Sequence, residues 1–116
     1  GRFSVTTAEK HDEMIAFTSQ MAHVVSNAYI KSPTMLREEG YSAGSFRDLT
    51  RVARLDEKMW TDLFLRNADF LVDEIDEIIK HLREYRDVLH DHDAQTLEFL
   101  LKDGRVKKEW SNDHVQ

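Results

Sequence analysis

The chain has 116 residues, 41% hydrophobic and 33% charged, with one proline and no cysteine, which is one domain's worth of sequence. A net charge of −6 argues against nucleic acid as the main partner, because a phosphate backbone needs a basic surface. The missing cysteines exclude a disulfide framework and thiolate chemistry and fit a cytoplasmic setting, and no apolar run approaches the roughly 20 residues that span a bilayer.

The opening Gly1-Arg-Phe-Ser-Val5 is not a signal peptide and reads like a cut inside a longer protein. Thr6 and Glu9 have capping-box spacing, so a helix is expected from about Ala8 to Tyr29. From Ile15 to Ile30 this helix has no Asp, Glu, Lys or Arg. A surface helix would carry a charged face, so this one is expected to be surrounded by protein on most sides. At about 100° per residue, Met14, Phe17, Met21, Val24, Val25 and Ala28 form an apolar stripe. His11, Ser19, Ala22, His23 and Ser26 form a second stripe of small or neutral polar groups, as expected of a helix that lines a cavity.

Lys31-Ser-Pro33 ends the helix. A short helical piece is expected over Thr34 to Glu39, a loop over Gly40 to Gly44, and a short helix over Phe46 to Ala53. Asp56 is placed as an N-cap. From Glu57 to about His90, Trp60, Phe64, Asn67, Leu71, Ile75, Ile78, Leu82, Tyr85 and Leu89 recur at spacings of three and four. A continuous helix over 57–90 would be about 50 Å long, against roughly 35 Å for the diameter of a compact globule of this chain length. Such a helix either kinks or is covered by a second copy, and the persistent apolar stripe favours the second copy. His90-Asp-His-Asp93 is a polar turn with Asp93 as the next cap. A last helix is expected to reach Trp110, weakened at Gly104, with Ser111 to Gln116 frayed. Nothing alternates like a strand, so the predicted class is all-α, a single helical domain over 1–116.

The residues that could carry chemistry concentrate in Gly44-Ser-Phe-Arg-Asp-Leu-Thr-Arg-Val-Ala53 and the following Asp56 to Trp60. Asp48 and Arg51, three apart, share a helix face. Either Asp48 orients the guanidinium toward a ligand carboxylate, or the two form an exposed pair worth a few tenths of a kcal/mol. Gly44 and Ser45 precede that helix, where free backbone amides favour an anion; a plain loop glycine is the simpler alternative. His23 could donate to a ligand oxygen with Ser19 one turn earlier, or be a core histidine satisfied by a carbonyl. Trp60 is either core or a pocket wall. His11-Asp12 is the dipeptide of metal-dependent phosphohydrolases, but the further histidines and aspartates of that fold are missing. His81, His90 and His92 complete no metal set. There is no Gly-x-Gly-x-x-Gly after a strand and no nucleophile triad, so the chain has parts of a pocket and no catalytic group of its own.

Three segments together resemble the C-terminal helical domain of prephenate dehydrogenases. They are His11-Asp12 with Ser19 and His23 at the family's spacing, the Gly44–Ala53 motif, and Asp56-x-x-Met-Trp60-x-Asp-Leu-Phe-Leu-x-Asn67. The resemblance runs from about His11 through the long helix. It implies a bundle like the C-terminal domain of 6-phosphogluconate dehydrogenase, intertwined in a homodimer. It implies oxidative decarboxylation of prephenate, or of arogenate, with NAD or NADP held mainly by an N-terminal Rossmann domain outside this chain, and tyrosine as a possible inhibitor. It also implies substrate contacts from Arg51, which grips a carboxylate, and from His23, Asp48, Ser19, Gly44 and Trp60. The chain departs from the family's common Ser-His-x-Pro-His run at Gln20 and Ala22, has Ser45 in its Gly-Gly pair, and has Glu57 for the proline of its Asp-Pro cap. The competing expectation is a non-enzymatic helical dimerisation module whose arginines are surface charge.

Overall fold

The computed structural model describes residues 7–34, 44–53 and 56–114, without the side chains of residues 45 and 114. Thr6, Arg54, most of the expected 34–39 helix and most of the 40–44 loop lie outside the described residues. Two compact units divide the chain, Gly1–Ile75 and Asp76–Gln116. Every described regular element is helical, as expected.

In the first unit, α1 (Ala8–Ile15) runs through a π-helical turn (Ala16–Gln20) into α2 (Met21–Ile30). The cap of α1 is Thr7, whose hydroxyl accepts the Lys10 N–H at 3.1 Å, one residue after the expected Thr6. Next come α3 (Gly44–Thr50), a 3-10 turn (Arg51–Ala53) and α4 (Glu57–Arg66). Gly44 therefore begins a helix instead of closing a loop. Asp56 caps α4 as expected, accepting the N–H groups of Lys58 at 3.1 Å and Met59 at 3.3 Å.

The single helix expected over 57–90 is two helices. Asn67 leaves helical geometry at φ −118°, ψ 25°, and α5 (Ala68–His90) starts after it. The cause is a pair of buried amides. The Asn67 N–H bonds to the Phe64 carbonyl at 3.1 Å, three residues back, which leaves the Leu63 carbonyl without its helical donor. Gln20, 4% exposed, supplies the replacement, its Nε2 donating to Leu63 O at 3.3 Å. The Asn67 amide in turn donates to Gln20 Oε1 and to Asp12 O, both at 2.8 Å. The π-turn and the helix break are thus tied together: Gln20 from the turn fills the carbonyl that the break leaves open, and Asn67 at the break holds the Gln20 amide and Asp12 O.

The charge-free helix is only partly enclosed within this chain. Ala16, Gln20, Met21 and Ser26 are buried, but Met14 and Phe17 are more than half exposed. The π-turn shifts the register of everything after it, so the stripe drawn from 14 to 28 at a uniform 100° does not stay on one face.

In the second unit, α5 ends in a Schellman cap. His92 has φ 52°, its N–H bonds to Leu89 O at 3.2 Å, and the Asp93 N–H bonds to Val88 O at 2.9 Å. Asp93 then caps α6 (Ala94–His114), with Oδ1 accepting the Thr96 N–H at 3.1 Å and Oδ2 accepting its hydroxyl at 2.6 Å. The last helix continues through Gly104 and past Trp110 to His114. One i,i+4 ion pair spans the glycine, Lys107 to Asp103 at 2.9 Å, and a second follows it, Arg105 to Glu109 at 2.8 Å, offsetting part of its low propensity. The Tyr85 hydroxyl donates to Leu100 O at 3.3 Å, linking α5 to α6.

Candidate functional site

His23, on α2, and Trp60, in the first turns of α4, stack with ring centroids 4.1 Å apart and 28° between planes. Phe64, one turn further along α4, lies 5.5 Å from Trp60. Capping by Asp56 fixes where α4 starts, and that sets which of its residues face α2. Around this aromatic group is a surface cavity of about 280 Å³, lined by His23, Val24, Asn27, Ala28, Lys31, Glu57, Trp60, Thr61 and Phe64. Aromatic and aliphatic walls carry a few polar groups, and one cation and one anion, Lys31 and Glu57, stand at the edge. The volume is at the small end for a ligand site and suits one ring-sized molecule.

The chemistry of His23 follows from its partner. Nδ1 lies 3.0 Å from the Ser19 carbonyl, and a carbonyl oxygen only accepts. Nδ1 therefore carries the proton, and in the neutral ring Nε2 is an acceptor. The expected donation from His23 to a ligand oxygen is available only from the imidazolium; the neutral ring accepts from a hydroxyl or a water. One ring nitrogen is thus satisfied by a carbonyl, while the half-buried ring lines the cavity. Ser19, half-buried, contributes its backbone carbonyl to the arrangement. Trp60 is a cavity wall.

The arginine-bearing turn sits differently from expectation. Arg51–Ala53 packs against α2, so Arg51 and His23 are on neighbouring elements. The Arg51 side chain is exposed, however, and does not line the cavity. Asp48 is also exposed, and among the described residues no ion pair joins it to Arg51. Asp48 lies on α3, which ends at Thr50, and Arg51 opens the following 3-10 turn with its side chain in solvent. A side chain built at Gly44 would meet open space, so nothing among the described residues requires a glycine there.

Sequence reasoning missed Gln20 and Asn67 as partners, and Lys31, Asn27, Glu57 and Thr61 as lining residues. The neutral character of Gln20 and Asn27 within the charge-free stretch was the available signal. Lys31, Glu57 and Thr61 gave none, because reaching the cavity depends on how α2 and α4 pack.

A family model described as prephenate dehydrogenase, dimerization domain, matches residues 7–103. The chain belongs to the prephenate dehydrogenase dimerization-domain family. Cyclohexadienyl dehydrogenase of Zymomonas mobilis is 34% identical, with 98% of this chain and 41% of that protein aligned. The crystal structure of prephenate dehydrogenase from A. aeolicus, in complex with hydroxyphenyl propionate and NAD+, matches with a TM-score of 0.73 at 27% identity, over 87% of this chain and 37% of that one. Synechocystis arogenate dehydrogenase shares the fold, with a TM-score of 0.78 at 22% identity over 89% of this chain and 40% of that one. The chain thus spans about two fifths of the length of these relatives, or somewhat less.

Proposed function

We propose that this chain is the C-terminal substrate-binding and dimerisation domain of a cytoplasmic prephenate or arogenate dehydrogenase. That enzyme would oxidise and decarboxylate its cyclohexadienyl substrate with NAD or NADP. The observation that carries this reading is the cavity walled by the His23–Trp60 stack, in a chain of this family. Its aromatic walls suit a six-membered ring. Nε2 of neutral His23 suits a ring hydroxyl, which it accepts from. Arg51, on the turn packed against α2, would reach in from the rim to hold a carboxylate, with Asp48, Ser19 and Gly44 supporting that side of the site. Tyrosine has the same hydroxyphenyl ring and is the natural competitor for such a cavity.

The cofactor does not fit the described residues. A dinucleotide pyrophosphate needs a strand, a glycine-rich turn and a helix N-terminus, and the described elements include no strand. No step of hydride transfer is therefore assigned to residues of this chain. Its part would be to bind and orient the substrate and to join two copies.

The case for a second copy is the scarcity of core. Among the described residues only Ala16, Met21 and Leu71 are buried apolar side chains, while Phe17, Leu82, Leu89, Phe99 and Trp110 are each more than half exposed. Covering one such side chain contributes about 1.5–3 kcal/mol, so a partner surface would supply what one chain leaves undone.

The test is Arg51→Ala in the complete enzyme. It is expected to lower kcat/KM for prephenate or arogenate at least tenfold, about 1.4 kcal/mol of lost transition-state binding. A smaller loss counts against the carboxylate anchor.

A further inference from the structure

We infer that Gln20 and Asn67 are positioning residues for the His23 imidazole, acting through the π-turn; the inference rests on the substrate-binding reading of the cavity. Three observations carry it. First, the π-turn Ala16–Gln20 lies immediately before α2, with the Met21 N–H bonded to Ala16 O, five residues back. A π-turn takes up one residue more than an α-turn, so its presence rotates everything after it by about 100° relative to a regular helix. His23 and its neighbours therefore present their present faces only while the turn persists.

Second, the carbonyl that fixes His23 belongs to the π-turn. Ser19 O accepts from Nδ1–H at 3.0 Å, which sets the tautomer and leaves Nε2 as the ring's acceptor. His23 reaches back four residues to this carbonyl on its own helix. If the turn became α-helical, α2 would rotate by about 100° relative to the elements before it, and the ring would lose its alignment with Trp60.

Third, Gln20 is a buried side chain that anchors the C-terminal end of the turn to another element. It is 4% exposed, donates to Leu63 O at 3.3 Å and accepts from Asn67 Nδ2 at 2.8 Å. Asn67 also holds Asp12 O, before the turn, at 2.8 Å. The two amides thus grip the irregular turn from both sides. They fasten it to the C-terminal end of α4, the helix that carries Trp60. The stack at 4.1 Å joins two elements whose relative register this amide pair sets.

The experiment compares the 116-residue chain with Gln20→Met, which keeps the length of the side chain and removes its hydrogen bonds, and with the exchanged pair Gln20→Asn/Asn67→Gln, which restores an amide at each place. Long-range 15N–1H correlation of the imidazoles reports the tautomer of His23. The ring-current shift of its protons reports the Trp60 stack, with His23→Gln and Trp60→Leu giving the assignments. Gln20→Met is expected to lose the fixed Nδ1–H tautomer and the ring-current shift while keeping its helical circular dichroism, and the exchanged pair to regain both. In the complete enzyme Gln20→Met is expected to raise the KM for the cyclohexadienyl substrate about tenfold and leave the KM for the nicotinamide cofactor unchanged. A folded Gln20→Met that keeps tautomer and stack overturns the inference. So does a folded exchanged pair that fails to regain them, which decides the matter if Gln20→Met does not fold. The spectroscopic arm involves no substrate, so its failure is separable from failure of the dehydrogenase reading, which Arg51→Ala decides.

Discussion

Breaking the buried amide pair one side at a time should cost more than its parts suggest, and the structure sets how much. Gln20→Met removes two hydrogen bonds. It leaves Leu63 O without the Gln20 donor and Asn67 Nδ2 with one acceptor instead of two. A buried polar group left unsatisfied costs about 1–3 kcal/mol, so the single substitution is expected to cost about 2–4 kcal/mol. Asn67→Leu strands Gln20 Oε1 in a residue 4% exposed and should cost about 1–3 kcal/mol; Asp12 O keeps its backbone donor from Ala16 and adds little. Because both substitutions remove the same 2.8 Å bond, the double variant should be less damaging than the sum by about 1–2 kcal/mol. Urea unfolding at one fixed protein concentration, with the slope unchanged across the four proteins, gives the cycle. Additivity within about 0.5 kcal/mol would mean that the two amides are independent and that the π-turn does not need the helix break.

His92 occupies the left-handed C′ position of the α5 cap at φ 52°, where a side chain costs about 1–2 kcal/mol. Allowing for the extra freedom of glycine in the unfolded chain, His92→Gly should stabilise the chain by about 0.5–1 kcal/mol in the same urea assay; no gain would place the strain elsewhere. Asp93 is held below its ordinary value of 3.8, first by the Thr96 hydroxyl and then by the Thr96 N–H. A depressed carboxyl pKa contributes stability that is present above the ordinary value and lost as pH falls through the folded one. Amide protection at the first turn of α6, taken relative to the intrinsic exchange rate at each pH, should therefore fall below about pH 4, and Asp93→Asn should flatten that fall. On the exposed stripes, Leu89→Glu and Phe99→Glu should each weaken self-association by at least tenfold in sedimentation, since a charge in a desolvated interface is costly. Unchanged association for both would remove these residues from the contact between copies.

Much of the fold was legible in the sequence because its signals are local. Asp56 and Asp93 accept from amides two or three residues ahead, Lys31 to Pro33 stops α2, and the apolar spacing after Glu57 marks helix. Gly104 misled for the same reason, as a local weakness that the flanking i,i+4 pairs offset. The family motif around Arg51 and Trp60 was equally readable, because it is a matter of residue identity.

What the sequence by itself determined, then, was the all-α class, the caps at Asp56 and Asp93, and His23 and Trp60 as residues to look for together. Tertiary structure alone decided the π-turn, the break at Asn67 and the stacking of His23 on Trp60. Gln20 and Asn67 lie 47 positions apart, and no window of propensity or periodicity contains both. Each looks acceptable in a helix until the other arrives to take its hydrogen bonds. The backbone leaves regular geometry where that exchange is made, and the register of every residue that follows changes with it.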